Sequence, residues 1–236
     1  MSHPLTVQET KNAARVVVTG GLGVLGRAVG AVLAQRGARV ILLDRAPAQA
    51  VAGMADVIGG VDLTDPAAGQ AAITAASHTL GGLDALVNVA GGFRWQTLAE
   101  GDIATWDQLY SMNLRSAVLA CQAALPHLLL QPGASIVNVG ALASHKAALG
   151  MGAYAASKAG VARLTEALAE ELKDRGVRVN AVLPSILDTP ANRADMPDAD
   201  TSRWVQPSAL GAVIAFLISA DAAAITGASI PVAGRV

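Results

Sequence analysis

Between Arg15 and Val232 the chain alternates short, continuously apolar runs with longer helical stretches, and this alternation limits the possible folds more than any other feature. Aliphatic and β-branched runs fall at 15–19, 39–43, 55–61, 83–89, 135–139, 177–183 and 229–232. The stretches between them predict helices up to about Gly37, from about Asp65, over 106–125, over 152–175 and from about Pro207. Strands with no in/out alternation belong to a parallel sheet covered on both faces, and right-handed crossovers then wind helices onto both sides. The expectation is α/β: one doubly wound domain over 1–236 with a roughly seven-stranded parallel sheet. Ligands of such a sheet sit beyond the carboxyl ends of its strands. Residues 185–203, rich in Pro, Asp and Asn, are the one irregular polar stretch and are expected to form a mobile loop over that crevice.

Composition supports a single core, because 53% of residues are apolar and only 15% charged. A net charge of −1 provides no basic face for phosphates, so nucleic acid is excluded as a partner. Cys121 is the only cysteine, which rules out an internal disulfide and suits a reducing compartment; it reads as a small core residue. Met1 to Lys11 is polar and has no apolar secretory segment, so a cytoplasmic location is expected. Ser116 to Ser144 carries no Asp, Glu, Lys or Arg, but Pro126 and Gln131-Pro132-Gly133 divide it into pieces too short to span a bilayer. No membrane and no metal are expected.

The first apolar run leads straight into Gly20-Gly21-Leu22-Gly23-Val24-Leu25-Gly26. Gly21-x-Gly23-x-x-Gly26 between a strand and a helix matches the dinucleotide fingerprint: one glycine for the turn, one for close approach to the pyrophosphate, one for helix packing. Asp44 closes the second run and can accept from both adenosine ribose hydroxyls, which favours NAD(H) over NADP(H). Arg45 beside it offers the alternative of neutralising a 2′-phosphate. Asp62 and Leu63 are expected to flank the adenine. Asn88-Val89-Ala90-Gly91-Gly92 provides small residues against which the cofactor lies, and Leu25, Pro184 and Thr189 complete the expected contacts.

Tyr154 and Lys158 are four residues apart on a predicted helix and so share a face. A neighbouring ammonium and an oxidised nicotinamide are expected to bring the phenol from about 10 down to about 7 or 8, within acid/base range. Lys158 can also hold the nicotinamide ribose. Together with the glycine turn, this pair resembles the short-chain dehydrogenase/reductase family of Rossmann-fold enzymes over nearly the whole chain.

The resemblance implies a catalytic set of Asn113, Tyr154 and Lys158, with Asn113 holding a water in a proton relay. It also implies a serine thirteen positions before the tyrosine, where this chain has Ala141. Ser144 and His145 are nearby candidates to replace that donor. The dihydropteridine reductases within the family also lack the serine. Val89-Ala90-Gly91-Gly92 and the stretch from Leu187-Asp188-Thr189-Pro190-Ala191-Asn192-Arg193 to Trp204 look similar to that branch.

The resulting expectation is hydride transfer from NAD(P)H to a small conjugated substrate such as a quinonoid dihydropterin, with Phe93 and Trp95 stacking on it and 185–203 closing over it. An ordinary carbonyl reductase or alcohol dehydrogenase is the alternative. A non-catalytic dinucleotide sensor would need no Tyr154–Lys158 pair. Family resemblance further implies a homodimer or homotetramer built on the helices that carry Asn113 and Tyr154.

Overall fold

The computed structural model describes residues 13–236; the Met1 to Lys11 stretch read for a secretory signal lies outside them. Seven strands form one parallel sheet: β1 (Arg15–Thr19), β2 (Arg39–Leu43), β3 (Asp56–Ile58), β4 (Ala85–Asn88), β5 (Ser135–Val139), β6 (Arg178–Pro184) and β7 (Ser229–Val232). Their order is β3-β2-β1-β4-β5-β6-β7, so the winding reverses between β1 and β4 and opens a crevice at that point.

Alternate residues of each strand feed two cores, which is why the runs are apolar throughout. Val16, Val18, Leu42 and Val87 pack beneath α1 (Val24–Gln35), while Val17, Ile41, Leu86 and Ile136 pack beneath α2 (Pro66–Leu80) on the opposite face. Two long helices, α4 (Ser116–Leu128) and α5 (Gly152–Leu172), join α2 on its face, and α7 (Pro207–Ile218) joins α1. The sequence sets helix ends locally. Asp65 caps α2 by accepting from Ala67 N at 2.9 Å, Pro66 occupies the first turn, and Gly81 at φ 76° closes the helix in a left-handed conformation.

Three expectations need correction. β3 covers three residues rather than 55–61, because Gly59 passes so close to Ala48 N that a Cβ there would lie 2.1 Å away, and the chain leaves the ladder. The helix expected over 106–125 is α3 (Ile103–Leu109), a six-residue π turn (Tyr110–Arg115) and α4, with Pro126 inside the last turn and not at a boundary. The stretch 185–203 is not irregular. It contains α6 (Pro190–Asp195) and a 3₁₀ turn (Thr201–Arg203), and Leu187 bridges Val205. Within it Asp188 pairs with Arg193 at 2.8 Å and accepts from Gln206 at 2.7 Å, which holds its carboxyl down at about 2.

Cys121 is buried, as expected of a core residue, and burial pushes its thiol up to about 12. Among the described residues no helix is long and apolar enough to cross a membrane.

Candidate active site

The turn between β1 and α1 presses the chain against itself. Gly20, at φ 62°, is the residue that needs left-handed freedom, and a Cβ there would come within 2.8 Å of the Ala90 backbone. A Cβ on Gly26 would lie 2.2 Å from Gly20 O. Gly21, expected to shape the turn, instead packs against β2, 2.5 Å being all that would separate its Cβ from that of Leu42. Gly23 caps α1 with bare backbone and faces a cleft of ≈ 570 Å³. The first N–H groups of α1 have no intrahelical partners, so the end of the helix opening on this cleft suits an anion.

Leu25, Arg45, Leu63, Val89, Ala90 and Gly91 also line the cleft. Asp44 stands on its rim, where Oδ2 accepts from Leu22 N at 2.8 Å and Oδ1 from Ala46 N at 2.9 Å. Asp62 is there too, but the Thr64 hydroxyl and N–H occupy its Oδ1 and hold its carboxyl below the ordinary range. A helix end over bare backbone, with a carboxylate at the end of β2, fits the pyrophosphate and ribose of a dinucleotide.

At the other end of the cleft the π turn carries Asn113 inward, 1% exposed. Its Oδ1 accepts from Gly92 N at 2.8 Å; its Nδ2 donates to Gly92 O at 3.1 Å and to Ser157 Oγ at 2.9 Å. The side-chain amide thereby clips the segment after β4 to α5. Ser157, which was not singled out from sequence, completes the tie by donating to Tyr154 O at 2.7 Å. Its position beside Lys158 on the helix was the available signal.

Lys158 is buried, donates from Nζ to Val139 O at 2.8 Å, and lies so near Gly91 that a Cβ there would be 3.3 Å from Nζ. Burial pushes its ammonium down to about 8. Tyr154 is pushed the opposite way from the sequence expectation. Burial raises the phenol to about 12, since among the chain's own groups desolvation outweighs any nearby positive charge.

Below this level runs a polar chain that sequence reading missed. Thr19, Asn88 and Asn138 stand level on β1, β4 and β5. Asn88 Nδ2 donates to Asn138 Oδ1 at 2.9 Å, Asn138 Nδ2 donates to Thr165 Oγ1 on α5 at 2.9 Å, and Thr19 Oγ1 accepts from Ala90 N at 3.2 Å. The signal was one polar residue at the same register in three apolar strands.

Ala141 is buried in extended backbone just after β5. Ser144 closes the following 3₁₀ turn with its Oγ buried and without a hydrogen-bond partner among the described residues, whereas His145 is exposed. Phe93 meets Tyr154 edge to face, centroids 4.9 Å apart. Trp95 is instead anchored, donating from Nε1 to Leu149 O at 2.9 Å. Pro184 ends β6, and Thr189 caps α6 by accepting from Asn192 N; neither is among the residues lining the cleft.

Residues 14–200 match the short chain dehydrogenase family. The chain belongs to that family. This short chain dehydrogenase is 34% identical to 2-(S)-hydroxypropyl-CoM dehydrogenase 3 of Xanthobacter autotrophicus, over 93% of its own length and 94% of the relative's. It is 34% identical to D-threitol dehydrogenase of Mycolicibacterium smegmatis, over 92% and 90% of the two chains. Its fold matches a short chain dehydrogenase from Burkholderia cenocepacia solved in complex with NADP, with a TM-score of 0.83, 31% identity and 94% and 96% coverage. The chain is thus an NAD(P)-dependent oxidoreductase of the family with a Rossmann fold. None of these relatives is a dihydropteridine reductase.

Proposed function

We propose that this dehydrogenase interconverts a secondary alcohol and a ketone with NAD(H), using Tyr154 as the proton donor and acceptor. The observation that carries this reading is the placement of a half-buried phenol one helical turn from a buried ammonium that reaches Gly91, the last backbone of the cleft. Glycines 20, 23 and 26 would hold the pyrophosphate, Asp44 the adenosine ribose and Lys158 the nicotinamide ribose. When bound, the nicotinamide supplies or takes the hydride and, in its oxidised form, the positive charge that favours a phenolate. Tyr154 at about 12 is a phenol at neutral pH, ready to give its proton to the oxygen of a carbonyl. Lys158, desolvated and held on Val139 O, keeps its donors at the level of Gly91. Asn113 and Ser157 fix the segment after β4 relative to Tyr154.

Ala141 favours a second reading, the reduction of a conjugated ring such as a quinonoid dihydropterin. A methyl stands where a hydroxyl would steady a localised alkoxide, and a conjugated acceptor develops little such charge. NADH oxidation by wild type, Tyr154→Phe and Ala141→Ser, with a panel of ketones beside freshly generated quinonoid dihydropterin, separates the two. Ketone turnover should fall about 10² to 10⁴-fold in Tyr154→Phe with NADH binding retained, and rise roughly tenfold or more in Ala141→Ser. Turnover confined to the pterin would establish the second reading. Tight NADH binding with no turnover of anything would overturn both in favour of a sensor.

A further inference from the structure

The segment after β4 is fixed at both ends. Asn113 holds Gly92 by two hydrogen bonds, while Trp95 Nε1 donates to Leu149 O and Gln96 N donates to Gly150 O at 2.8 Å. Gly150 is at φ 72°, and a Cβ there would lie 2.1 Å from the Trp95 ring, so the indole rests on bare backbone. Phe93 lies between these two attachments. Its ring meets Tyr154 at an interplanar angle of 86° yet remains 54% exposed. An aromatic ring held from both sides, pressed on the reacting phenol and half open, borders the space a substrate must enter to reach Tyr154.

The remaining walls of that space, set by the topology, follow β5 and β6. After β5 come Gly140, Ala141, Leu142, Ala143 and Ser144, the last with a buried Oγ that has no partner among the described residues. After β6 several polar side chains already have partners. Asp188 is taken by Arg193 and Gln206, and Asn192 Nδ2 donates to Leu187 O. Thr189 Oγ1 accepts from Asn192 N, and Ser185 Oγ donates to Ala233 O. Apart from Ser144 Oγ, few of these side chains keep a polar atom for a substrate with several hydroxyls, and each group left unsatisfied weakens binding. A hydrocarbon substituent would gain contact with the open face of Phe93.

We propose that Phe93 is the specificity-determining residue of this site and selects alcohols or ketones with a ring or branched hydrocarbon beside the reacting carbon, against polyols and sugars. The assignment rests on the alcohol–ketone reading above.

Two measurements test it. In the first, wild type, Phe93→Ala and Phe93→Leu are assayed with 1-phenylethanol, cyclohexanol, threitol and galactose. In the second, acetophenone and threitol are titrated into each protein–NADH complex and followed by NADH fluorescence. Wild type should favour 1-phenylethanol over threitol by about 10² in kcat/KM. Phe93→Ala should raise KM for the apolar alcohols about tenfold, the equivalent of about two buried methylenes, with a smaller change in kcat. Phe93→Leu should recover most of the loss, and acetophenone binding should follow the same order.

Equal or better turnover of threitol or galactose overturns the proposal, as does an apolar KM indifferent to Phe93→Ala. If no alcohol or ketone is turned over, the alcohol–ketone reading fails separately and binding decides. Acetophenone bound by wild type and about tenfold more weakly by Phe93→Ala supports the role of Phe93; absent or unchanged binding overturns it.

Discussion

Truncating Asp44 to alanine removes a carboxylate that serves two purposes. Its oxygens accept from Leu22 N at 2.8 Å and Ala46 N at 2.9 Å, which ties the glycine turn to the end of β2, and each oxygen retains a further lone pair for a ligand on the rim of the cleft. A ribose diol donating to both would form two charge-assisted bonds of about 1.5 kcal/mol or more each, so losing them removes about 3 kcal/mol and weakens NADH roughly 150-fold. NADPH should respond in the opposite direction. Its 2′-phosphate would meet the carboxylate in wild type, and in Asp44→Ala it would meet Arg45 with the repulsion gone. Fluorescence titration of both reduced dinucleotides against both proteins measures the ratio directly. Leaving Leu22 N without its acceptor should also cost about 1 kcal/mol of stability, or about 2–4 °C in Tm, so titrations are made well below the transition. A wild type that binds NADPH more tightly than NADH, or an Asp44→Ala protein whose NADH affinity changes less than about fivefold, would refute this account of the cleft.

Gly150→Ala places a Cβ 2.1 Å from Trp95 Cε2 and holds an L residue at φ 72°, so urea unfolding should show a loss of about 2 kcal/mol together with a change in tryptophan emission; an unchanged midpoint would exclude the clip. Lys158 provides a stability test. Its folded value of about 8 lies below the ordinary 10.5, so between those pH values the unfolded chain binds more protons and stability rises with pH. Cys121 and Tyr154, both raised to about 12, act with the opposite sign at higher pH, and comparison with Lys158→Met removes their contribution. Relative to that variant, wild type should gain roughly 3 kcal/mol between pH 7.5 and 10.5, and a flat difference would show that the ammonium is not desolvated.

The fold was legible because the central strands are buried on both faces and therefore largely apolar, a pattern that needs no knowledge of partners. Edges and insertions were not. β3 has a neighbour on one side only and ends where Gly59 crosses Ala48, and the π turn at Tyr110–Arg115 leaves no trace in helical periodicity. The glycine turn was readable because its close approaches need backbone that only glycine permits, although the turn-former proved to be Gly20 and not Gly21. The substrate half depends on pairs distant in sequence, such as Trp95 with Leu149 and Asn113 with Ser157. Residue type alone made Trp95 a stacking platform and left out the clip through the Asn113 amide, because nothing local shows that these polar atoms are already engaged.

The two halves also differ in what holds them. Ala90, on the floor of the cleft, and Lys158, at its end, are both referenced to the centre of the sheet: Ala90 N through Thr19, Lys158 Nζ through Val139 O, with Asn88 and Asn138 joined between them. Hydrogen bonds buried in a parallel sheet open only with the sheet itself, so the distance from the floor of the cleft to the ammonium is a property of the core. The loop of Phe93 is held on one side by buried Asn113 but on the other by Trp95, which is 52% accessible. Such loops open at lower free energy than the core and accept substitution more readily. Within one scaffold the hydride-transfer geometry can therefore stay fixed while the substrate changes. This separation is consistent with a chain that shares about a third of its residues with 2-(S)-hydroxypropyl-CoM dehydrogenase 3 and with D-threitol dehydrogenase, two relatives named for different substrates.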